Sequence, residues 1–238
     1  MRQRVVGAGM LLILAVGVAV LAAAGGATAA YAPRIDPAAF TATVDNPYLP
    51  LRPGSRWVYE GPGEEGLERK VVEVTDEARV VMGVPCVVVH DTVTVDGQPF
   101  EDTFDWFAED RDGTVWTFGE ASRIRGDDGR FTSAGSWEAG VHGSLPGIVM
   151  EAHPRPGRPY RQEYLPGQAE DMARVISVTE ALTVPNGSYV EVVVTRDWSP
   201  LDPGVADHKH YAPGIGMIRE EAVEGGTSRL DLIERTRR

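Results

Sequence analysis

The chain has 238 residues, enough for one sizeable domain or two small ones, and its hydrophobic content of 42% predicts a packed core rather than disorder. Its 35 acidic residues outnumber 23 basic ones, which gives a formal net charge of −12. Such a surface repels nucleic acid and anionic lipid head groups, so we expect neither as a partner.

Residues 1–29 have the pattern of an export signal. Arg2 and Arg4 supply a basic start, the stretch from Val5 to Ala24 is uncharged and largely apolar, and Ala27-Thr28-Ala29 is a small-residue cleavage site. The apolar stretch approaches the roughly 20 residues that span a bilayer, so an uncleaved N-terminal membrane anchor is the alternative to a cleaved signal. Either way, the rest of the chain is predicted to lie outside the cytoplasm, secreted or in a bacterial envelope.

Cys86 is the one cysteine of the sequence, so no internal disulfide can form and no thiol stands at the cleavage site for lipid attachment. It lies in the apolar run Val84-Pro85-Cys86-Val87-Val88-Val89, which is typical of a buried strand. We expect a structural, unreactive thiol, because nothing nearby in the sequence would lower its pKa.

Residues 30–53 are rich in proline and alanine and predict an irregular lead-in, whereas residues 54–238 predict a single β-rich domain. Runs of β-branched residues are separated there by five two-residue turn signals: Asp96-Gly97, Asp112-Gly113, Asp128-Gly129, Asn186-Gly187 and Gly225-Gly226. The pattern indicates a mainly β fold, an antiparallel meander forming a curved half-barrel, barrel or sandwich, with little helix outside the signal segment.

Two later segments depart from the simple pattern. Residues 139–159 are rich in glycine and proline and predict a loop with one short strand at Ile148-Val149-Met150. Residues Gln168 to Ile176 are the best candidate for a helix, with a strand as the alternative.

His208-Lys209-His210 could place two imidazoles on one face of a strand, where both could bind one metal ion. Glu163 and Asp171 are candidate carboxylates for acid–base chemistry. Together these residues define one hypothesis, a metal-assisted hydrolase. The alternatives are two exposed histidines and carboxylates that pair with neighbouring arginines.

Aromatic residues suggest a different function. In the strand after Asp96-Gly97, the residues Phe100, Asp102, Phe104 and Trp106 share one face. On the concave side of a curved sheet, aromatic residues would hold an apolar ligand or a glycan, although they also fill cores. We take the candidate ligand-lining residues to be Trp106, Trp116, Trp137 and Tyr211.

Three functional hypotheses remain open from these residues. The leading one is an exported, non-catalytic β-domain, without a cofactor, that binds an apolar or envelope-derived ligand (a lipid or a glycan) or a protein partner. The second is the hydrolase built on His208 and His210. The third is a structural protein of the envelope.

Three blocks of sequence carry a resemblance to a known group of proteins. They are the segment from Asn46 to Tyr59, the central block Pro146–Met150 with Tyr160–Tyr164 and Ala169–Ala173, and the C-terminal segment from Trp198 to Gly216. Together they resemble a family of exported bacterial β-rich proteins of unknown function, across essentially the whole chain after residue 29. The Tyr-Ala-Pro-Gly-Ile-Gly turn is also similar to that of periplasmic lipoprotein-carrier-like half-barrels. The resemblance implies a β fold and export, and no activity.

Overall fold

The computed structural model describes residues 31–126 and 128–237. The predicted signal at residues 1–29 therefore lies outside the described residues. A short 3-10 helix, Pro37–Ala39, precedes the strands. In chain order the strands are β1 (Phe40–Thr41), β2 (Ser55–Pro62), β3 (Leu67–Val81), β4 (Val84–Val95), β5 (Gln98–Asp110), β6 (Val115–Arg125), β7 (Phe131–Thr132), β8 (Trp137–Glu138), β9 (Leu145–Met150), β10 (Tyr160–Arg161), β11 (Glu163–Tyr164), β12 (Met172–Val184), β13 (Gly187–Trp198), β14 (Ala206–Ala212), β15 (Gly216–Glu224) and β16 (Arg229–Arg237).

The predicted mainly β fold is confirmed, and four of the five turn signals lie between consecutive strands; at the fifth, Asn186 is in the turn and Gly187 is the first residue of β13. At the turn between β4 and β5, Asp96 and Gly97 have φ angles of 48° and 77°. Positive φ at both central residues is what a tight two-residue hairpin of right-handed twist requires, and aspartate followed by glycine accepts it readily.

The helix candidate at residues 168–176 is wrong, because strand β12 begins at Met172 and continues to Val184. Its β-branched residues gain hydrogen bonds along the full length of β13, which a short isolated helix could not match. No helix in the described part of the chain is long and apolar enough to cross a lipid bilayer.

All the strand pairs are antiparallel, and the sheet order is β10-β12-β13-β14-β15-β16-β2-β3-β4-β5-β6-β9-β11, with β1, β7 and β8 attached to β5 and β6. The two ends of this order, β10 and β11, are consecutive in the chain and are separated by Gln162 alone. Because β10 pairs with β12 and β11 pairs with β9, the segment Tyr160–Tyr164 crosses between the two ends of the sheet. The sheet therefore curls into a nearly closed barrel.

Apolar side chains form two separate clusters, one on each side of the barrel wall. Along β4, Val87 and Val89 belong to the larger inner cluster, whereas Cys86 and Val88 belong to the outer one. This alternation follows from the two-residue period of a strand. The outer cluster is covered by residues from the β8 region and from the segment that follows β11, so both faces of β4 to β6 are buried there.

Cys86 is buried in the outer cluster, as its apolar run predicts. Burial raises the pKa of its thiol to about 12. The thiol therefore stays protonated at neutral pH and is chemically unreactive.

Candidate functional site

The barrel interior contains a cavity of about 170 Å³. Part of its wall is apolar and comes from side chains such as Trp57, Val72, Val89 and Phe107. The wall is held in place by hydrogen bonds: the Trp57 indole donates to the carbonyl of Ile215 at 2.8 Å. The rest of the wall is strongly polar, since seven carboxyl groups and two lysines also line the cavity.

Both lysines of the protein, Lys70 on β3 and Lys209 on β14, face this cavity. The Lys70 ammonium lies 2.8 Å from Asp91, and the Lys209 ammonium lies 3.2 Å from Asp197 and 3.7 Å from Glu220. Burial would lower the pKa of either lysine, but the adjacent carboxylates outweigh burial and raise both values. The lysines are therefore charged and already paired.

Four other carboxyl groups, Glu101 and Asp105 on β5, Glu120 on β6 and Glu163 on β11, form what we call the acid cluster. None of the ion pairs of residues 31–126 and 128–237 includes a carboxylate of this cluster. Asp105 and Glu120 are direct partners on neighbouring strands. Two ionised carboxylates in that position would repel one another, which favours protonation of at least one of the pair.

Three members of the acid cluster, Glu101, Glu120 and Glu163, are buried and Asp105 is half-buried, and burial is the largest cause that raises the pKa of each member. The pKa of Glu101 is raised to about 8 and that of Asp105 to about 7, in both cases with a further contribution from Asp91. The pKa of Glu120 is raised well above its ordinary value by burial and then by Glu163, and that of Glu163 by burial and then by Asp171. Near neutral pH the cluster therefore retains protons that exposed carboxyl groups would lose.

The closing segment of the barrel brings Glu163 and Asp171, the two predicted carboxylates, to the same cavity wall. The backbone N–H groups of Gln162 and Glu163 donate to the carbonyl of Asp171 at 2.8 and 3.2 Å. These bonds join the end of β10 and the start of β11 to the residue that precedes β12. Glu163 and Asp171 thus lie where the two ends of the sheet meet.

Several buried polar atoms in the cavity wall have no hydrogen-bond partner in the protein. They include one oxygen each of Asp91, Glu120 and Glu220. Glu120 is 3% exposed and Glu220 is 5% exposed. A buried polar atom without a partner destabilises a fold, so these oxygens are positions at which a hydrogen-bond donor would bind favourably.

Of the four residues predicted to line a ligand site, Tyr211 lies in the cavity wall and three tryptophans do not. Trp106 and Trp137 are buried in the outer cluster, and Trp116 packs against the same cluster. The Trp116 indole also donates to Asp110 at 2.9 Å. These tryptophans join the barrel wall to the segments that cover it, which is a packing role.

His208 and His210 lie on the outside of β14, since Lys209 and Tyr211 of the same strand line the cavity. Their ring centroids are 6.4 Å apart, and His210 Nε2 lies 3.2 Å from Glu221. Burial lowers the pKa of both imidazoles, against the opposing effect of Glu221. Among residues 31–126 and 128–237, no group of three or more His, Cys, Asp or Glu side chains is arranged to hold a metal ion.

Sequence reasoning missed most of the cavity wall. It did not single out Lys70, Lys209, Asp91 or the three acid-cluster residues other than Glu163. One signal for the cavity wall was available in the sequence. The protein uses arginine for nearly all of its basic residues, and its two lysines both lie within strand-forming runs, Lys70 directly before two valines. A charged residue inside a strand-forming run indicates either a solvated face or a polar interior, and curvature decides between them.

Comparison with known proteins gives two solved structures similar to this chain. One is described as a "putative exported protein with YmcC-like fold" from Bacteroides fragilis NCTC 9343, with 17% identity and a TM-score of 0.44, covering 80% of this chain and 99% of that one. The other is described as a "putative lipoprotein" from Parabacteroides distasonis ATCC 8503, with 14% identity and a TM-score of 0.45, covering 79% and 98%. No protein-family model and no curated protein matches the chain.

Proposed function

We infer that this protein is an extracytoplasmic, non-catalytic binding protein that holds a small ligand inside its β-barrel. The export pattern of residues 1–29 supports the location. The cavity supports the binding role, because it combines an apolar wall with buried polar groups that converge on the same space, although these are more numerous than in a usual small-molecule site.

The observation that carries this proposal is the set of partnerless carboxylate oxygens in the cavity wall, on Asp91, Glu120 and Glu220. A protein that served a structural role alone would gain stability by filling this space with apolar side chains. A ligand that donates hydrogen bonds to these oxygens accounts for their retention.

The volume of the cavity limits the ligand to a small molecule. An apolar protein cavity of about 150 Å³ holds a molecule the size of benzene. A cavity of about 170 Å³ is therefore suited to one ring, or to a short chain of comparable size, rather than to a complete lipid. This narrows the expectation of an apolar or envelope-derived ligand to a small one or to a small part of a larger one.

Native mass spectrometry of the protein purified from the extracytoplasmic fraction of its producing cells tests this proposal. The expected result is a mass adduct below about 200 Da, consistent with a benzene-sized site. Val72→Trp fills the cavity and should abolish the adduct, whereas Val71→Trp, one residue along β3 on the outer face, should retain it.

The proposal would be contradicted if no small molecule co-purified and if a panel of ring-sized compounds left the melting temperature of the wild-type protein unchanged. That outcome would favour the structural role. An adduct of equal intensity in Val72→Trp would place the ligand outside the barrel.

A further inference from the structure

The carboxyl and ammonium groups of the cavity are unevenly distributed around the barrel. Both lysines are on strands β3 and β14, and their pairing partners, including Asp91 and Glu220, are on β4, β13 and β15. The acid cluster is on β5, β6 and β11, which are neighbours of one another or of β9 in the sheet order. The cavity therefore has one side where charges are compensated and one side that is purely acidic.

The acidic side has the features of a binding site rather than of a solvated surface. Glu120 is 3% exposed, lines the cavity, and has one carboxylate oxygen with no protein partner. The Thr103 hydroxyl lies 2.8 Å from Glu101, so that carboxyl group is held in a fixed position. Asp105 faces Glu120 across adjacent strands. Among the described residues, Lys70 and Lys209 act on this cluster from across the cavity, but neither forms an ion pair with it, so its acceptors have no cation in direct contact.

We propose that the ligand of the cavity is a small organic amine, whose protonated nitrogen binds the acid cluster and whose apolar part packs against Trp57, Val72 and Phe107. The inference rests on the proposed function, because it names the class of ligand for the same cavity. An ammonium group supplies a positive charge in direct contact with the cluster and N–H donors for the partnerless oxygen of Glu120. A neutral alcohol supplies a single donor and no charge, and a carboxylate supplies neither.

Protons should leave the acid cluster when an amine binds. An adjacent positive charge favours the ionised carboxylate, so binding lowers pKa values that burial holds near or above neutral pH. The charged groups that face the cluster from other elements are Lys70 on β3, Asp91 on β4, Asp171 before β12, Lys209 on β14 and Glu220 on β15. Because the lysines remain paired and charged between pH 5 and pH 8, this range changes mainly the protonation of the carboxyl groups.

Three probes of nearly equal size test the proposal: benzylamine, benzyl alcohol and benzoate. Isothermal titration at pH 8 should give benzylamine a dissociation constant at least tenfold lower than that of benzyl alcohol, with no measurable binding of benzoate. Repeating the benzylamine titration in buffers of different ionisation enthalpy near pH 7 should show proton release. Lowering the pH to 5 should weaken the affinity for benzylamine by about tenfold or more, since a shift of one pKa unit corresponds to a tenfold change in affinity. The affinity for benzyl alcohol should be nearly unchanged.

Two variants distinguish the acid cluster from general acidity of the protein. Glu120→Gln removes a charged acceptor and should weaken the affinity for benzylamine about 10- to 100-fold, in keeping with the strength of charge-assisted hydrogen bonds. Asp102→Asn removes the same charge from the outer face of β5, where Asp102 lies 2.7 Å from His90, and should leave affinity unchanged. Circular dichroism and melting curves establish that both variants are folded. Should Glu120→Gln fail to fold, Glu163→Gln replaces it with the same expected loss.

The possible outcomes separate this inference from the proposal on which it rests. If benzyl alcohol or benzoate binds as tightly as benzylamine, and Val72→Trp abolishes that binding, the cavity is a ligand site but the amine assignment is overturned. Tighter binding of Ca²⁺ than of benzylamine, lost in Glu120→Gln, would also overturn it in favour of a metal ion. If none of the probes binds, the amine assignment is overturned; the binding function is overturned with it if no small molecule co-purifies and a panel of ring-sized compounds leaves the melting temperature unchanged.

Discussion

Glu68 allows a quantitative test of the polar barrel interior, because it is buried without coupling to the acid cluster. It lies on β3 two residues before Lys70, is 1% exposed, and neither of its carboxylate oxygens has a hydrogen-bond partner. Burial, followed by repulsion from Glu220, raises its pKa from 4.5 to about 7. Between these values the folded protein binds more protons at this site than the unfolded chain does.

The contribution of Glu68 to the free energy of unfolding should therefore decrease as the pH rises from 4.5 through 7. At about 1.4 kcal/mol for each pKa unit, ionised Glu68 destabilises the folded state by about 3 kcal/mol at pH 8. Glu68→Gln removes this contribution, so relative to the wild-type protein the variant should gain about 3 kcal/mol between pH 4.5 and pH 8.

Urea denaturation at the two pH values, followed by tryptophan fluorescence, measures this difference. Glu65→Gln provides the control, since Glu65 is an exposed glutamate in the turn before β3. Its stability relative to the wild-type protein should change little between pH 4.5 and pH 8. If Glu68→Gln shows no gain with rising pH, or a loss, the barrel interior does not destabilise an ionised carboxylate at this position.

Three further predictions concern other parts of the barrel. Lys70→Met leaves the Asp91 carboxylate buried without its cation and should lower the free energy of unfolding by about 3–5 kcal/mol in urea titrations; the double variant Lys70→Met/Asp91→Asn should recover most of the loss. Gly119→Ala places a Cβ atom against the backbone of β8 at a φ of +135°, and should lower stability by about 1–3 kcal/mol in thermal denaturation. His208→Ala/His210→Ala should leave benzylamine affinity within twofold of the wild-type value in isothermal titration, because neither imidazole lines the cavity.

The strands and turns could be predicted from the sequence because their signals are local. Turns such as Asp96-Gly97 supply the backbone geometry of a hairpin within two residues. The start of β12 was assigned to a helix candidate, with a strand as the alternative, because its pairing with β13 is not visible within its own residues. The closing strands β10 and β11 have two residues each, too few to show any periodicity.

The cavity could not be predicted because curvature, rather than alternation, determines which face of a strand is enclosed. On β5 the aromatic residues Phe104 and Trp106 share one face, which alternation assigns to the core. In the folded chain the opposite face, with Glu101 and Asp105, lines the barrel interior. Trp106 is buried nonetheless, because segments distant in sequence cover the outside of the wall. A strand buried on both faces gives no sequence signal that identifies the inner one.

The most direct test of an amine-binding barrel is the position of a bound probe. Crystals grown with saturating 3-bromobenzylamine would locate the bromine by its anomalous scattering. An amine-binding barrel should give a single strong bromine peak inside the barrel, near Trp57 and Phe107, with the ammonium group within hydrogen-bond distance of Glu120. A peak on the outer surface, for example beside His208, or no peak within the barrel at saturating concentration, would show that the barrel interior does not bind the amine.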